Sequence, residues 1–373
     1  MAGNRVTLLV DGRAIFAAMF DAIKEAKDHI HLETYWLNDD KVGHKLADLL
    51  LERSAAGVQV RLIYDSIGSL KNTAEYFDRL RAGGVQIHEF HPVEDLRFWQ
   101  LTHRDHRKLL IVDGKAAFTG GINFSDVYSS DPSSGKPEEQ DAESNWRDTQ
   151  VQIEGPAVAE FQKLFLRIWA EEEGENLLGE PNLFPQLDNA GQELVRVVAS
   201  TGGEDEYEIY KMYIATMSLA HRRVWVTQAY FSPNDQFIEA LKEAARSGID
   251  VRILLPGFSD HKMVLYSSHA QYAGLLGAGV KLYERNDRLL HSKTAVIDGL
   301  WSTVGSSNLD YQSFLHNNEV NAVILGYDFG RQMEELFLSD LSHARQIELE
   351  EWEKRPLWER FMEMMSSLFK YWF

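Results

Sequence analysis

Two stretches decide the reading of this chain: His106–Gly114, H-R-K-L-L-I-V-D-G, and His291–Gly299, H-S-K-T-A-V-I-D-G. Both have the form H-x-K-x4-D-G. Residues two apart on a strand face the same side, so His106 is expected to project with Lys108, and His291 with Lys293. The apolar runs that follow, L-L-I-V and T-A-V-I, suit a buried central strand. One match in a chain of 373 residues carries little; two at equivalent points of a repeat carry much more.

The repeat extends outward from both motifs. The run I-H-L-E-T-Y-W-L-N-D-D from Ile30 and the run V-W-V-T-Q-A-Y-F-S-P-N-D from Val224 are β-rich and end in turn residues. Each is followed by a helical pattern closed by a glycine, Gly57 or Gly248, and then by a buried strand. A second helix, glycine and strand follow in each case, and then the motif. The expected fold class is therefore α/β: two homologous α/β/α halves with mixed sheets about a pseudo-twofold axis, residues 1–172 and 193–345. Residues 173–192 read as a linker and 346–373 as a C-terminal amphipathic helix. Residues 128–145, rich in Ser, Asp, Pro and Glu, read as a long surface loop that the second half lacks. It is either decoration or part of a site mouth.

Composition narrows the function. Hydrophobic residues make up 44 % and charged residues 25 %, which is globular, and no apolar run reaches the ~18 residues of a membrane span. The absence of cysteine excludes disulfides, thiolate zinc sites and thiol nucleophiles, and fits a cytosolic address. A net charge of −19 argues against a nucleic-acid partner.

Downstream of each motif lies a turn of small residues with an amide: G-G-I-N-F-S-D, with Asn123 and Ser125, and G-S-S-N-L-D, with Ser307 and Asn308. Further on, Asp148 in W-R-D-T-Q-V and Glu319 in H-N-N-E-V-N are candidate partners, each for the histidine of its own half. Two histidines, two lysines and two amides converging at a pseudo-twofold suit a phosphodiester. Cations and amides take the non-bridging oxygens, one imidazole attacks phosphorus, and the other protonates the leaving alkoxide. This scheme needs no metal and no cofactor. His88-x-x-His91 lacks further ligands nearby, and Gly274, Gly277 and Gly279 follow a helix, the wrong context for a dinucleotide loop.

With these motifs in place, the chain resembles the phospholipase D superfamily over nearly its whole length. Within that superfamily it looks most like the bacterial cardiolipin synthases, through L-E-T-Y-W, H-R-K-L-L-I-V-D-G-K-A-A-F-T-G-G-I-N, W-R-D-T-Q-V-Q-I-E-G-P-A-V and H-S-K-T-A-V-I-D-G. The resemblance implies a phospholipase D fold and ping-pong transfer through a phosphohistidine. It makes His106 the nucleophile and His291 the general acid and later base. Lys108, Lys293, Asn123 and Asn308, with Ser125 and Ser307, would hold the phosphate, and Asp148 and Glu319 would orient the histidines. Asp113 and Asp298 complete the catalytic motifs and, lying further along their strands, are expected to be structural. Phosphatidylglycerol would be donor and acceptor, giving cardiolipin and glycerol; phosphatidylethanolamine is another partner lipid to consider. A hydrolase would share the same residues. The implied location is the bacterial cytoplasmic membrane, peripherally on its cytoplasmic side. Longer family members begin with transmembrane segments, and this chain begins almost at its first strand.

Residues 356–373, P-L-W-E-R-F-M-E-M-M-S-S-L-F-K-Y-W-F, place Trp358, Phe361, Met362, Met365, Leu368, Phe369 and Trp372 at helical spacing. This reads as an interfacial anchor with Trp358, Phe361, Phe369 and Trp372 as membrane contacts; the alternative is a helix packed on the protein or on a second chain.

Overall fold

The structure is a computed structural model describing residues 1–93, 102–129, 145–173, 175–202 and 207–368. Most of the 128–145 loop, and both Phe369 and Trp372, lie outside the described residues.

The first half runs β1 (Arg5–Val10), α1 (Asp11–Glu25), β2 (His29–Thr34), α2 (Lys41–Ala55), β3 (Gln59–Asp65), α3 (Ala74–Ala82), β4 (Gln86–Phe90), β5 (Leu109–Val112), β6 (Ala116–Gly120), β7 (Thr149–Glu154) and α4 (Val158–Glu173). The second runs β8 (Leu194–Ser200), α5 (Glu208–Ser218), β9 (Arg223–Thr227), β10 (Phe231–Ser232), α6 (Asp235–Arg246), β11 (Asp250–Pro256), α7 (Lys262–Gly277), β12 (Lys281–Arg285), β13 (Thr294–Ile297), β14 (Trp301–Gly305), β15 (Leu309–Asp310), α8 (Tyr311–Leu315), β16 (Glu319–Leu325) and α9 (Tyr327–Leu341). After these come β17 (Ala344–Ile347), α10 (Leu349–Glu353) and α11 (Leu357–Leu368).

The sheets repeat one strand order: β1-β7-β6-β5-β2-β3-β4 in the first, and β8-β16-β14-β13-β9-β11-β12 in the second, with β17 added at its edge. Both are mixed. β2 pairs parallel with β3 and antiparallel with β5, as β9 does with β11 and β13. The parallel pairs come from the strand–helix–strand repeats, whose helices start on side-chain caps such as Asp40 and Asn234. The sheets share one core, in which Leu109, Ile111 and Ile153 join Val296, Val304 and Val320, flanked by Phe165 of α4 and Phe337 of α9. The segment between the halves takes part in it, with Leu177 and Leu183 buried.

The D-G pair of each motif explains itself here. Asp113 and Asp298 have φ of 54° and 55°, and Gly114 and Gly299 have 61° and 66°. This is the left-handed conformation that Asp tolerates and Gly favours, and it turns β5 into β6 and β13 into β14. The Asp113 carboxylate accepts the backbone N–H groups of Lys27, Asp28 and His29 at 2.8–3.1 Å. Asp298 accepts those of His221, Arg222 and Arg223 at 2.8–2.9 Å. Each aspartate therefore staples the chain entering the neighbouring strand, at the end of β5 or β13 opposite its histidine.

The C-terminal helix α11 packs on α7 with its polar side inward. Glu363 and Ser366 are buried, with Glu363 paired to Arg355 and Ser366 against Met263. Leu357, Trp358, Phe361, Met364 and Leu368 face solvent, each more than half exposed. The outer face is thus rotated from the one the sequence spacing suggests: Met364 lies on it, whereas Met362 and Met365 turn partly inward, because the Arg355–Glu363 pair fixes the roll of the helix.

Replacing Asp113 by Ala leaves three buried or half-buried N–H groups without their acceptor. It is expected to cost about 1–3 kcal/mol, read as a lower urea midpoint, with activity per folded molecule nearly unchanged.

Candidate active site

The motif histidines and lysines lie just ahead of their strands, outside the ladders, since β5 begins at Leu109 and β13 at Thr294. That lead-in is tied to the other half. The N–H of His106 donates to the carbonyl of Asn318 at 3.0 Å, and the N–H of Asn318 to that of Arg104 at 2.8 Å. In the same way His291 donates to Arg147, and Arg147 to Leu289, each at 2.8 Å. These pairings form short parallel bridges, Asp105 with Asn318 and Arg147 with Leu290.

The residue after each bridge is the carboxylate, so the partners are exchanged. Glu319 Oε1 lies 2.9 Å from His106 Nδ1, and Asp148 Oδ2 lies 2.8 Å from His291 Nδ1. The expectation that each histidine uses the carboxylate of its own half is corrected: the bridges cross the axis and carry the carboxylates with them. Both side chains bind Nδ1, which leaves Nε2 of both imidazoles as the free ring nitrogen. The second oxygen of Glu319 takes the hydroxyl of Ser306.

Both lysine ammoniums donate to the carbonyl of their motif histidine at 2.6 Å, Lys108 to His106 and Lys293 to His291. Each also stands over a tyrosine ring, Tyr35 at 5.4 Å and Tyr230 at 5.9 Å. His106, His291, Asn123 and Asn308 line one cavity of about 640 Å³, framed by Tyr35, Trp36, Trp146 and Tyr230. The Asn308 side-chain oxygen is buried there without a partner. Asn123 is already engaged: its oxygen accepts the N–H of Trp36 and its nitrogen donates to Tyr128 Oη.

Ser125 and Ser307 do not reach this cavity. The Ser125 hydroxyl accepts from Asn38 and from the N–H of Val127, as a helix cap does, and the Ser307 hydroxyl donates to the carbonyl of Asn308. Neither serine is among the residues that line the cavity, and each hydroxyl has partners within its own turn region. Tyr128, read as the start of a surface loop, is wholly buried, with its hydroxyl 3.3 Å from His291 Nδ1. Its neighbours Trp36 and Trp146 both pack edge-on against it. His91 stacks on Phe90, its Nδ1 3.0 Å from the carbonyl of His103.

Burial sets the charges. It lowers Lys108 to about 7, with Glu319 opposing and Lys293 adding to the shift, and lowers Lys293 to about 8 against the pull of Asp148. Both histidines are lowered by burial; at His106 Glu319 opposes it, and at His291 the two lysines add to it. The carboxylates differ. Burial raises Asp148 to about 7 despite Lys293 and the N–H of Thr149. Glu319 is held below its ordinary value, since His106, Lys108 and Ser306 outweigh its burial. The crossed pairing has a direct test: Glu319→Gln should move the Nδ1 resonance of His106 in ¹⁵N NMR and leave that of His291 in place, and the reverse result would restore pairing within each half.

Known proteins share this architecture. The family model described as cardiolipin synthase, PLD-like domain, matches residues 19–169 and 213–341. A cardiolipin synthase of Geobacillus thermodenitrificans is 40 % identical over 369 residues, 98 % of this chain and 72 % of its own length. The major cardiolipin synthase of Bacillus subtilis is 36 % identical over 98 % of this chain and 74 % of its own. A phosphatidylserine synthase of Haemophilus influenzae superposes with a TM-score of 0.70 at 12 % identity, over 98 % of this chain and 94 % of its own, which shows a shared fold. Matched in both halves by one family model and over nearly its whole length by relatives of this identity, the chain belongs to the cardiolipin synthase family of phospholipase D-like proteins.

Proposed function

We propose that the chain transfers a phosphatidyl group from one phosphatidylglycerol to another, making cardiolipin and glycerol. The observation that carries this reading is two imidazoles lining one cavity, each with Nδ1 held by a carboxylate and each beside a buried ammonium; relatives that bear the name cardiolipin synthase supply the substrate class.

In the first step Nε2 of His106 attacks phosphorus. The bond from phosphorus to the head-group glycerol breaks, and His291 gives its proton to the departing oxygen. In the second step a hydroxyl of another phosphatidylglycerol gives its proton to His291 and attacks phosphorus, the N–P bond breaks, and His106 is restored. Lys108 and Lys293 neutralise the non-bridging oxygens, and Asn308 donates to one of them through its amide. The unequal carboxylates support these roles. An ionised Glu319 holds His106 with Nδ1 protonated and Nε2 bare for attack. At His291, a partner of raised affinity for protons keeps a proton on the pair near neutral pH.

Mass spectrometry of lipids after incubation with phosphatidylglycerol vesicles tests the function. Cardiolipin and glycerol are expected, falling by about 10³-fold or more in His106→Ala and His291→Ala; phosphatidic acid without cardiolipin would make the protein a hydrolase.

The pH profile follows from the signs. The nucleophile must be neutral, and burial lowers His106, so the acid limb should lie below the ordinary histidine value of about 6.5. The acid must be protonated, so activity should fall as pH rises through the range where the Asp148–His291 pair loses its proton. Asp148→Asn should alter the alkaline limb of kcat/KM and leave the acid limb; an unmoved alkaline limb would reject the assignment of His291.

Peripheral membrane contact through α11 belongs to the same proposal. Among the described residues no helix is long and apolar enough to cross a membrane, and the solvent-facing side of α11 is apolar. Adding a charge at the two exposed aromatics, in Trp358→Glu with Phe361→Glu, should weaken vesicle co-sedimentation about tenfold or more. Turnover of detergent-dispersed lipid should be retained.

A further inference from the structure

The cavity wall is acidic on one side only. Asp260 and Asp310 both line it, and both come from the second half. A charged carboxylate in a cavity that receives a phosphodiester repels its ligand, and burial raises Asp310 to about 7, so each of these acids carries a cost in this cavity.

The repeat gives an internal control. Asp310 follows Asn308 as Ser125 follows Asn123, and both cap the next turn of helix. Asp260 stands as far past the start of β11 as Ser69 stands past the start of β3. At both equivalent positions the first half carries a neutral serine engaged with its own surroundings: Ser69 with the N–H of Leu37 and the carbonyl of Tyr35, Ser125 with Asn38. The second half carries aspartate at both positions, and both line the cavity.

Their place relative to the histidines fixes what they meet. Tyr230, whose ring is edge-on to His291 at 6.2 Å, donates its hydroxyl to Asp260 Oδ1 at 2.8 Å. The charge of Asp260 acts on His291, and the charges of both aspartates act on Lys293. If His106 attacks, the leaving group departs on the His291 side, and by microscopic reversibility the accepting hydroxyl arrives there. Asp260 retains capacity: Oδ1 takes Tyr230 and Ser259, while Oδ2 has a 3.5 Å contact with His261. Asp310 takes the N–H of Ser313 on one oxygen, at 2.7 Å.

We propose that Asp260 and Asp310 form the head-group subsite, accepting hydrogen bonds from the hydroxyls of the glycerol that leaves and of the glycerol that accepts. This rests on the transferase reading and adds a basis for selecting a polyol over a simple alcohol. A site built to pair with a hydroxyl discriminates strongly against an analogue that lacks it.

Head-group exchange tests it. The full chain is given phosphatidylglycerol vesicles with labelled glycerol, 1-propanol or ethanolamine, and incorporation into lipid is measured. Asp260→Asn is expected to reduce glycerol incorporation relative to propanol by about tenfold, with Asp310→Asn, which keeps a capping side chain, acting in the same direction. Equal loss for glycerol and propanol, or no loss, would overturn the proposal. So would a loss concentrated on ethanolamine, because the carboxylates would then read an ammonium. Full reproduction by Tyr230→Phe would also overturn it, tracing the effect to the tyrosine. No turnover of phosphatidylglycerol by the unaltered chain, by any alcohol, would instead reject the transferase reading beneath it.

Discussion

The backbone bridges that join each motif's lead-in to the opposite half hold the site together. Without the pairing of His106 with Asn318 and of His291 with Arg147, the imidazoles would have no fixed distance from their carboxylates. These are short pairings, and what makes them rigid is around them. Arg107 is fully buried and reaches the carbonyls of Glu319 and Ser200. Arg147 is held by Asp340 and Thr149. Removing one partner of a buried, hydrogen-bonded charge typically costs several kcal/mol, so the Arg147–Asp340 pair resists the shear that would part histidine from carboxylate, and Arg107 adds its hydrogen bonds across the halves.

The same burial tunes the chemistry. Burial brings both lysines toward neutrality, so an anion placed beside them would favour their charged form. The site also departs from its own symmetry. Glu319 and Asp148 hold equivalent places and both are buried, yet the first is lowered and the second raised: His106 and Lys108, with a smaller part from the Ser306 hydroxyl, outweigh burial at Glu319, while burial prevails over Lys293 at Asp148. The first half has Gly121 where the second has Ser306, and a Cβ at Gly121 would meet Asp148 Oδ1 at 2.2 Å. No hydroxyl can stand there without moving the carboxylate.

Much of the fold was legible because duplication writes the pattern twice. The two mixed-sheet halves, the motif residues and the buried strands follow from periodicity that recurs in register, whereas the strand orders come from the structure. What stayed hidden was set by contacts across the axis. Asp148 and Glu319 were identifiable as carboxylates near the histidines, but their exchange depends on bridges that no local pattern records. Ser125 and Ser307 look like ligands in a small-residue turn, whereas in the structure they lie off the cavity lining, with partners in their own turn regions. Tyr128 lay at the edge of a polar, loop-like stretch, and only its packing against Trp36 and Trp146 draws it into the site. The tyrosines beneath the lysines had a signal in the sequence, since Tyr35 and Tyr230 follow equivalent strands in the repeat.

An in-line displacement has two unequal ends, a nucleophile and a leaving group, whereas a site made from two identical copies presents the same face to both. Such a site could bind its substrate in either direction and would spend half its encounters with the groups reversed. Joining the copies in one chain removes that degeneracy, because a change in one half is no longer copied into the other. The serine-to-aspartate differences at the cavity wall and the single serine behind Glu319 are changes of this kind. Each makes the two ends of the pocket chemically distinct, so a ligand would meet different groups in its two orientations.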